Sequence, residues 1–368
     1  MKTDTGGIIN IDTLLKTIPT TRYQGSKRKI LPWLYDSINR YEFHTVLDAF
    51  GGSGMLSYLF KRMGKSITYN DLFKFNQIIG ESIIENNHVL LSDNDVDFLL
   101  TENNATNSFI YDNFHGIYYL DEENRWLDMI IGNIEALNGF YEGEQLKYKK
   151  AIAYNALFQS CLVKRPYNLF HRMNLDMRLK DVNRGFGNKV TWDKPFSHHF
   201  IKFVKEINQS IFYSKEKCNA TCQDVLTIID DYDLVYLDPP YIKKKGEGNE
   251  SADYLKYYHF LEGIANYNQW GEIIDHKSKI KRIKSEYAPN HFKPSEAISV
   301  FEKFIKKFQK SIIVLSYRYG GTPTIDELSK IILKYKKSLD IYDRKYKYAL
   351  NKQNTDSELN REYLLIGY

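Results

Sequence analysis

With 368 residues, 43% of them hydrophobic, the chain has ample material for a large buried core, which excludes a miniprotein that depends on staples. Charged residues make up 26% and prolines number only 9, which excludes disordered and collagen-like chains. A net charge of +5 is too small to demand a polyanionic partner. The cysteines, Cys161, Cys218 and Cys222, form no C-x-x-C pair. They argue against a disulfide framework or zinc ribbon and fit a reducing cytoplasm. The opening MKTDTGGIINIDTLL carries Asp4 and Asp12 where a secretory signal would be apolar, and no window approaches a membrane span. The expectation is a cytoplasmic chain with no membrane partner.

In chain order, TVLDAF (45–50) predicts a strand, broken by Gly51, Gly52 and Gly54 and followed by a helix from Ser53 to Met63. SITYND (66–71) predicts a second strand ending on an acid, after which FKFNQIIGESIIENN resumes a helical period. This β-α-β opening points to a parallel sheet. From about 85 to 215 run long helix-compatible stretches such as RWLDMIIGNIEAL (125–137) and YKKAIAYNALFQSCL (148–162), so an inserted, mainly helical subdomain is expected there. Residues 85–144 hold 13 acidic and 1 basic side chain, whereas 145–215 hold 14 basic and 4 acidic. Two readings are open: the basic block meets a phosphate backbone, or the two blocks neutralise each other across the subdomain. Strands are expected again at DLVYLD (233–238), SIIVLSY (311–317) and YLLIGY (363–368), which makes 1–84 and 216–368 one α/β domain around the insertion. A basic run, Lys243 to Lys245, is followed by Gly246 and Gly248 and reads as a loop. The cluster Lys277, Lys279, Lys281, Arg282 and Lys284 faces phosphate or forms a solvated helix face. His198 and His199 read as surface or packing residues, and no histidine has metal-ligand spacing, so no metal is expected.

Two motifs carry chemistry. In Asp48-Ala49-Phe50-Gly51-Gly52-Ser53-Gly54 the glycines let the backbone approach a bound cofactor, and the helix that follows offers free N–H groups. Asp71, 23 residues after Asp48 and at the end of the next strand, is placed to accept hydrogen bonds from ribose hydroxyls. Alone, this turn does not separate NAD, FAD and S-adenosylmethionine. The second motif, Asp238-Pro239-Pro240-Tyr241, ends a strand. Two prolines lack N–H donors and fix φ, leaving the Asp238 carboxylate and the Pro239 carbonyl as acceptors for a planar amino group, with a tyrosine face for a base to stack on.

With these motifs the chain resembles the amino-group DNA methyltransferases, in particular the adenine-specific, Dam-related group found in restriction-modification systems. Arg22-Tyr23-Gln24-Gly25-Ser26-Lys27 is similar to the N-terminal cofactor motif, DAFGGSG to the F-x-G-x-G loop, and Gln223-Asp224 to the short motif whose acid or amide faces the cofactor adenine. KRPYNLFHRMNLDMR is similar to the DNA-contacting part of the family's insertion, and SYRYGGTPTIDEL and KYKYAL to its C-terminal segments. The resemblance implies a Rossmann-like S-adenosylmethionine-dependent methyltransferase sheet with a helical target-recognition insertion over 85–215. It implies Asp238, Pro239, Pro240 and Tyr241 as catalytic. Tyr23, Lys27, Asp48, Phe50, Gly51, Gly52, Gly54, Asp71 and Asp224 would bind S-adenosylmethionine. Arg165, Asn168, His171, Arg172 and Arg178 would bind double-stranded DNA, and a cognate restriction endonuclease is an implied partner. The implied reaction is methyl transfer to the 6-amino group of a flipped-out adenine, with both N–H hydrogens accepted by Asp238 and Pro239 and with no strongly raised Asp238 pKa. Cytosine 4-amino methylation, RNA methylation and a catalytically silent DNA-binding module are the alternatives. Carbon-5 cytosine methylation would require a cysteine nucleophile after proline, which is absent.

Overall fold

The computed structural model describes residues 11–103, 108–180, 189–242, 253–345 and 361–368. The Lys243–Lys245 run and nearly all of KYKYAL lie outside them. Seven strands, β1 (Thr45–Asp48), β2 (Ser66–Asp71), β3 (Cys218–Cys222), β4 (Leu234–Leu237), β5 (Ile312–Arg318), β6 (Leu339–Lys345) and β7 (Arg361–Gly367), form one sheet in the order β3-β2-β1-β4-β5-β7-β6. The first five are parallel, and β7 runs antiparallel between β5 and β6. Strand order reverses between β1 and β4, so the loops leaving their carboxyl ends diverge and open a crevice there.

Side-chain alternation supplies two cores. Val46, Leu234, Tyr236, Val314, Leu364 and Ile366 face one side. Leu47, Val235, Leu237, Ile313, Leu315 and Leu365 face the other. Because both faces are covered, these strands read as continuous apolar runs. On the second side the helices Ala297–Lys307 and Ile325–Tyr335 pack Val300, Phe301, Phe304, Leu328 and Ile332 against the sheet.

The first side carries Met55–Arg62 and the insertion. Among the described residues of 85–215 there are helices and no strand. At its centre is Gly143–Val163, 15 of whose 21 residues are buried, the mark of a helix enclosed on every side. Phe158 meets Phe75 edge-on at 6.0 Å, and the Tyr58 hydroxyl donates to the Ser210 carbonyl at 2.7 Å, so the insertion shares its core with the sheet. The two charge blocks meet here. Lys147 pairs with Glu81 and Glu85, Lys149 with Asp95, Lys150 with Glu135, and Lys164 and Arg178 with Glu123. Mutual neutralisation therefore accounts for part of the polarised composition. The cluster 277–284 is not a helix face. It is a turn closed by an Ile274–Ile283 bridge, with Asp275 N–H donating to the Arg282 carbonyl at 2.7 Å. All three cysteines are free. Among the described residues no helix is long and apolar enough to cross a membrane.

Candidate active site

Ala49 N–H donates to the Tyr236 carbonyl at 3.0 Å, stitching the end of β1 to β4 and bringing the glycine turn beside Asp238. Between them opens a cavity of about 230 Å³ lined by Tyr23, Lys27, Asp48, Phe50, Gly51, Gly52, Asp71, Asp238, Pro240 and Tyr254, among others. Seven of the nine residues expected to hold a cofactor thus line one cavity. The turn is tight: a Cβ on Gly51 would lie 2.2 Å from the Tyr69 ring, and Gly52 sits at φ +48° with its N–H on Asp71 Oδ2 at 3.0 Å. Asp71 also accepts from Phe73 N–H at 3.1 Å, and the Asn76 side chain and the Leu72 backbone hydrogen-bond to it as well. Asn70, which the sequence did not single out, ties the loops together by donating to the Ala49 and Gln223 carbonyls at 3.2 and 3.1 Å.

Gly54 and Asp224 stand back from the lining. Gly54, at φ +72°, starts the helix Met55–Arg62. Asp224 is held by His291 Nε2 at 2.6 Å and by Leu226 N–H at 2.9 Å.

Asp48 accepts from Ser57 Oγ at 2.6 Å through Oδ2, while its buried Oδ1 has no hydrogen-bond partner among the described residues. Burial pushes its carboxyl up to about 7. An orphaned acceptor at the wall of a cavity that also holds Asp71 and Asp238 suits a ligand carrying hydrogen-bond donors and positive charge.

Around Asp238 the side chains form a closed network. Lys27 Nζ lies 3.0 Å from Asp238 Oδ1, 2.7 Å from Glu362 Oε1 and 2.5 Å from the Tyr241 hydroxyl. The Tyr241 hydroxyl is 2.8 Å from Glu362 and 3.2 Å from Asp238, and Ser316 Oγ donates to Glu362 at 2.6 Å. Burial alone would pull the Lys27 ammonium down, yet Asp238 and Glu362 raise it above its ordinary value. Burial pushes Asp238 up to about 6, with Lys27 opposing and Glu362 adding to the rise. This corrects the expectation of a carboxyl without a strong upward shift. Pro240 lines the cavity, while Pro239 and Tyr241 do not; Tyr241 turns its hydroxyl into the network and meets Tyr317 edge-on at 5.7 Å.

Glu362 had escaped notice, although an acid at the head of the apolar run YLLIGY was a legible oddity. So had Tyr254 and Tyr258. Four residues apart on the helix Tyr254–Ala265, they extend one stack with Tyr23, whose ring lies 4.8 Å from that of Tyr258 and 5.9 Å from that of Tyr254.

The residues expected to face DNA divide. Arg165 is 1% exposed, and its guanidinium donates to the carbonyls of Tyr118, Leu169, Arg172 and Met173. Arg178 makes a bidentate pair with Glu123, both contacts at 2.7 Å, and its side chain is 6% exposed. Neither is presented to a phosphate, which corrects that expectation: both hold the insertion together. Asn168 and His171 are half-buried and Arg172 is exposed. Burial, with Arg172, Lys256 and Arg165 nearby, holds the His171 imidazole down at about 4.

The chain is similar to several methyltransferases. It is 26% identical over 94% of its length to the Type II methyltransferase M2.HphI of Haemophilus parahaemolyticus, of which 97% is covered. It is 23% identical over 88% of its length to the Type II methyltransferase M.NlaIII of Neisseria lactamica, of which 91% is covered. The Modification methylase LlaI of Lactococcus lactis subsp. lactis is 24% identical over 83% of this chain, which spans 47% of that protein. Residues 23–319, which take in both motifs, the cavity they enclose and the insertion, match one family model, and the chain belongs to that family, the D12 class N6 adenine-specific DNA methyltransferases.

Proposed function

We propose that the cavity binds S-adenosylmethionine, that Asp238 to Tyr241 receives an adenine rotated out of duplex DNA, and that the enzyme marks one defined sequence as the modifying half of a restriction-modification pair in the cytoplasm. The observation that carries this reading is the gathering of Asp48, Asp71 and Asp238 around a glycine-walled cavity at the strand-order reversal. Three carboxyl groups with an unpartnered oxygen favour a cationic nucleoside. When bound, that cofactor supplies a methyl group on a positively charged sulfur. Asp48 and Asp71 would hold its polar groups, and Phe50 and the Tyr23 stack its apolar surfaces. Asp238 and the Pro239 carbonyl would accept the two amino hydrogens of adenine and aim the nitrogen lone pair at the methyl carbon. The Asp238 carboxylate would then take the amino proton, as the nitrogen–carbon bond forms and the sulfur–methyl bond breaks. The cognate-nuclease reading rests on the likeness to the type II methyltransferases.

The phosphate-facing residues in this reading are Asn168, His171 and Arg172, joined by Lys256 and Arg282, which line the cavity, and by exposed Lys277, Lys279 and Lys284. The test is transfer of labelled methyl groups to duplexes with and without adenine, read beside an Asp238→Ala variant. The variant is expected to lose about 10³-fold or more in rate, about 4 kcal/mol, and to keep cofactor affinity within about threefold. Undiminished transfer by the variant, or labelling of duplexes that lack adenine, would overturn the reading.

A further inference from the structure

Glu362 is the second residue of β7, is completely buried, and lies far from both motifs in the chain. A buried carboxylate costs several kcal/mol unless it is fully compensated, and this one is. A single oxygen, Oε1, faces Lys27 Nζ at 2.7 Å, the Tyr241 hydroxyl at 2.8 Å and Ser316 Oγ at 2.6 Å. Ser316 lies on the adjacent strand β5 and pairs with Leu364 in the register, so the antiparallel strand delivers the acid to the network.

An ammonium has three protons and a phenol one. Lys27 faces three oxygens, those of Glu362, Asp238 and Tyr241, so Tyr241 is an acceptor toward Lys27 and has one proton left to give. Two carboxylates compete for it, Glu362 at 2.8 Å and Asp238 at 3.2 Å. The shorter contact goes to Glu362. Without that acid, the phenol proton and the Lys27 ammonium would both fall on Asp238 Oδ1, the group that must accept the substrate's amino hydrogens.

We propose that Glu362 is a positioning residue for methyl transfer: by taking the Tyr241 proton and one Lys27 proton on a single oxygen, it leaves Asp238 open to the adenine amino group. The inference rests on the adenine-methylating reading of this site. The groups facing Asp238 are Lys27, Glu362, Tyr241, Asp48, Tyr236 and Tyr254. Removing the charge of Glu362 alone strips one negative neighbour from Asp238 and lets Lys27 pair with it fully, and both changes make Asp238 more acidic.

The experiment measures kcat against pH for the full-length enzyme with saturating labelled S-adenosylmethionine and duplex DNA. Glu362→Gln is expected to lower kcat about 10- to 100-fold, to leave the cofactor Kd within about threefold, and to move the acidic limb about one pH unit lower. Glu362→Asp keeps the charge but falls one methylene short, so kcat drops while the limb stays in place. A Gln variant that only melts earlier, with wild-type kcat and an unmoved limb, overturns the proposal. If the Gln variant fails to bind cofactor, the Asp variant decides: a reduced kcat with an unmoved limb supports the proposal, and wild-type kcat overturns it. Wild-type enzyme that leaves adenine unmethylated overturns the functional reading and this inference with it, whereas an active wild type with indifferent variants overturns the inference alone.

Discussion

Asp48 keeps one carboxylate oxygen on Ser57 while the other meets no donor among the described residues, and burial pushes the group up to about 7 from an ordinary 3.8. Between those two values the folded chain holds a proton there that the unfolded chain has released, so stability falls as pH rises from about 4 to about 7 and is level above that. An asparagine at this position has no proton to lose. Wild type compared with Asp48→Asn should therefore lose on the order of 2–4 kcal/mol across that window, measured as the difference between the two denaturation curves at each pH. A difference that stays constant from about pH 4.5 to about 7.5, the span in which the linkage acts, would show that Asp48 is ordinary. A cationic cofactor favours the ionised form, so its affinity for wild type should rise over the same window and flatten in the Asn variant.

The loop from Arg165 to Asn174 carries three non-glycine residues in the left-handed region, Tyr167, Asn168 and Asn174, and one guanidinium gathers its carbonyls. Arg165→Ala leaves several buried carbonyls unsatisfied and should cost at least about 3 kcal/mol in unfolding free energy. Arg172→Ala, at an exposed position, should cost less than about 0.5 kcal/mol yet weaken duplex binding. Equal loss of stability in the two variants would contradict this division. The difference was not legible in KRPYNLFHRMN, because a basic run reads as surface, and what buries Arg165 is the set of carbonyls its own loop turns inward. Strands were legible where both faces are buried: the segments expected at 45–50, 66–71, 233–238, 311–317 and 363–368 became β1, β2, β4, β5 and β7. The two missed strands are edges. CNATC has no run of large apolar residues, and LDIYDRK is largely exposed on both faces, so neither shows the pattern a core imposes. The glycine turn and DPPY were legible because they are backbone devices with little dependence on distant chain. Glu362 gains its meaning only from strand order, which local sequence does not encode.

Across the whole molecule, opposite charges in sequence became neighbours in space. Lys147 and Lys150 belong to the basic block, but they face Glu81, Glu85 and Glu135. Their charge is neutralised inside the protein, and a count of lysines overstates what the surface offers to a polyanion. The turn 275–282 differs. It is pinned by the Ile274–Ile283 bridge, and its Ile280 carbonyl lies 3.1 Å from the Tyr118 hydroxyl, whose one proton goes to the Phe170 carbonyl at 2.6 Å. It exposes Lys277 and Lys279 and sets Arg282 into the cavity lining. A pinned cationic turn beside the cavity loses little entropy when it meets phosphate, and each phosphate it neutralises releases condensed counterions. Replacing Lys277 and Lys279 together with Gln should reduce the magnitude of the slope of log affinity against log salt by about 0.9 for each phosphate left without its lysine, with the thermal midpoint and cofactor binding unchanged. The paired control, Lys147→Gln with Lys150→Gln, should lower the midpoint slightly and leave the slope where it was. Fluorescence anisotropy on a labelled duplex from about 50 to about 200 mM salt, a range over which such slopes are well resolved, reads both. If the two double variants change the slope equally, the charge that meets DNA is spread over the whole surface and the turn has no special part in it.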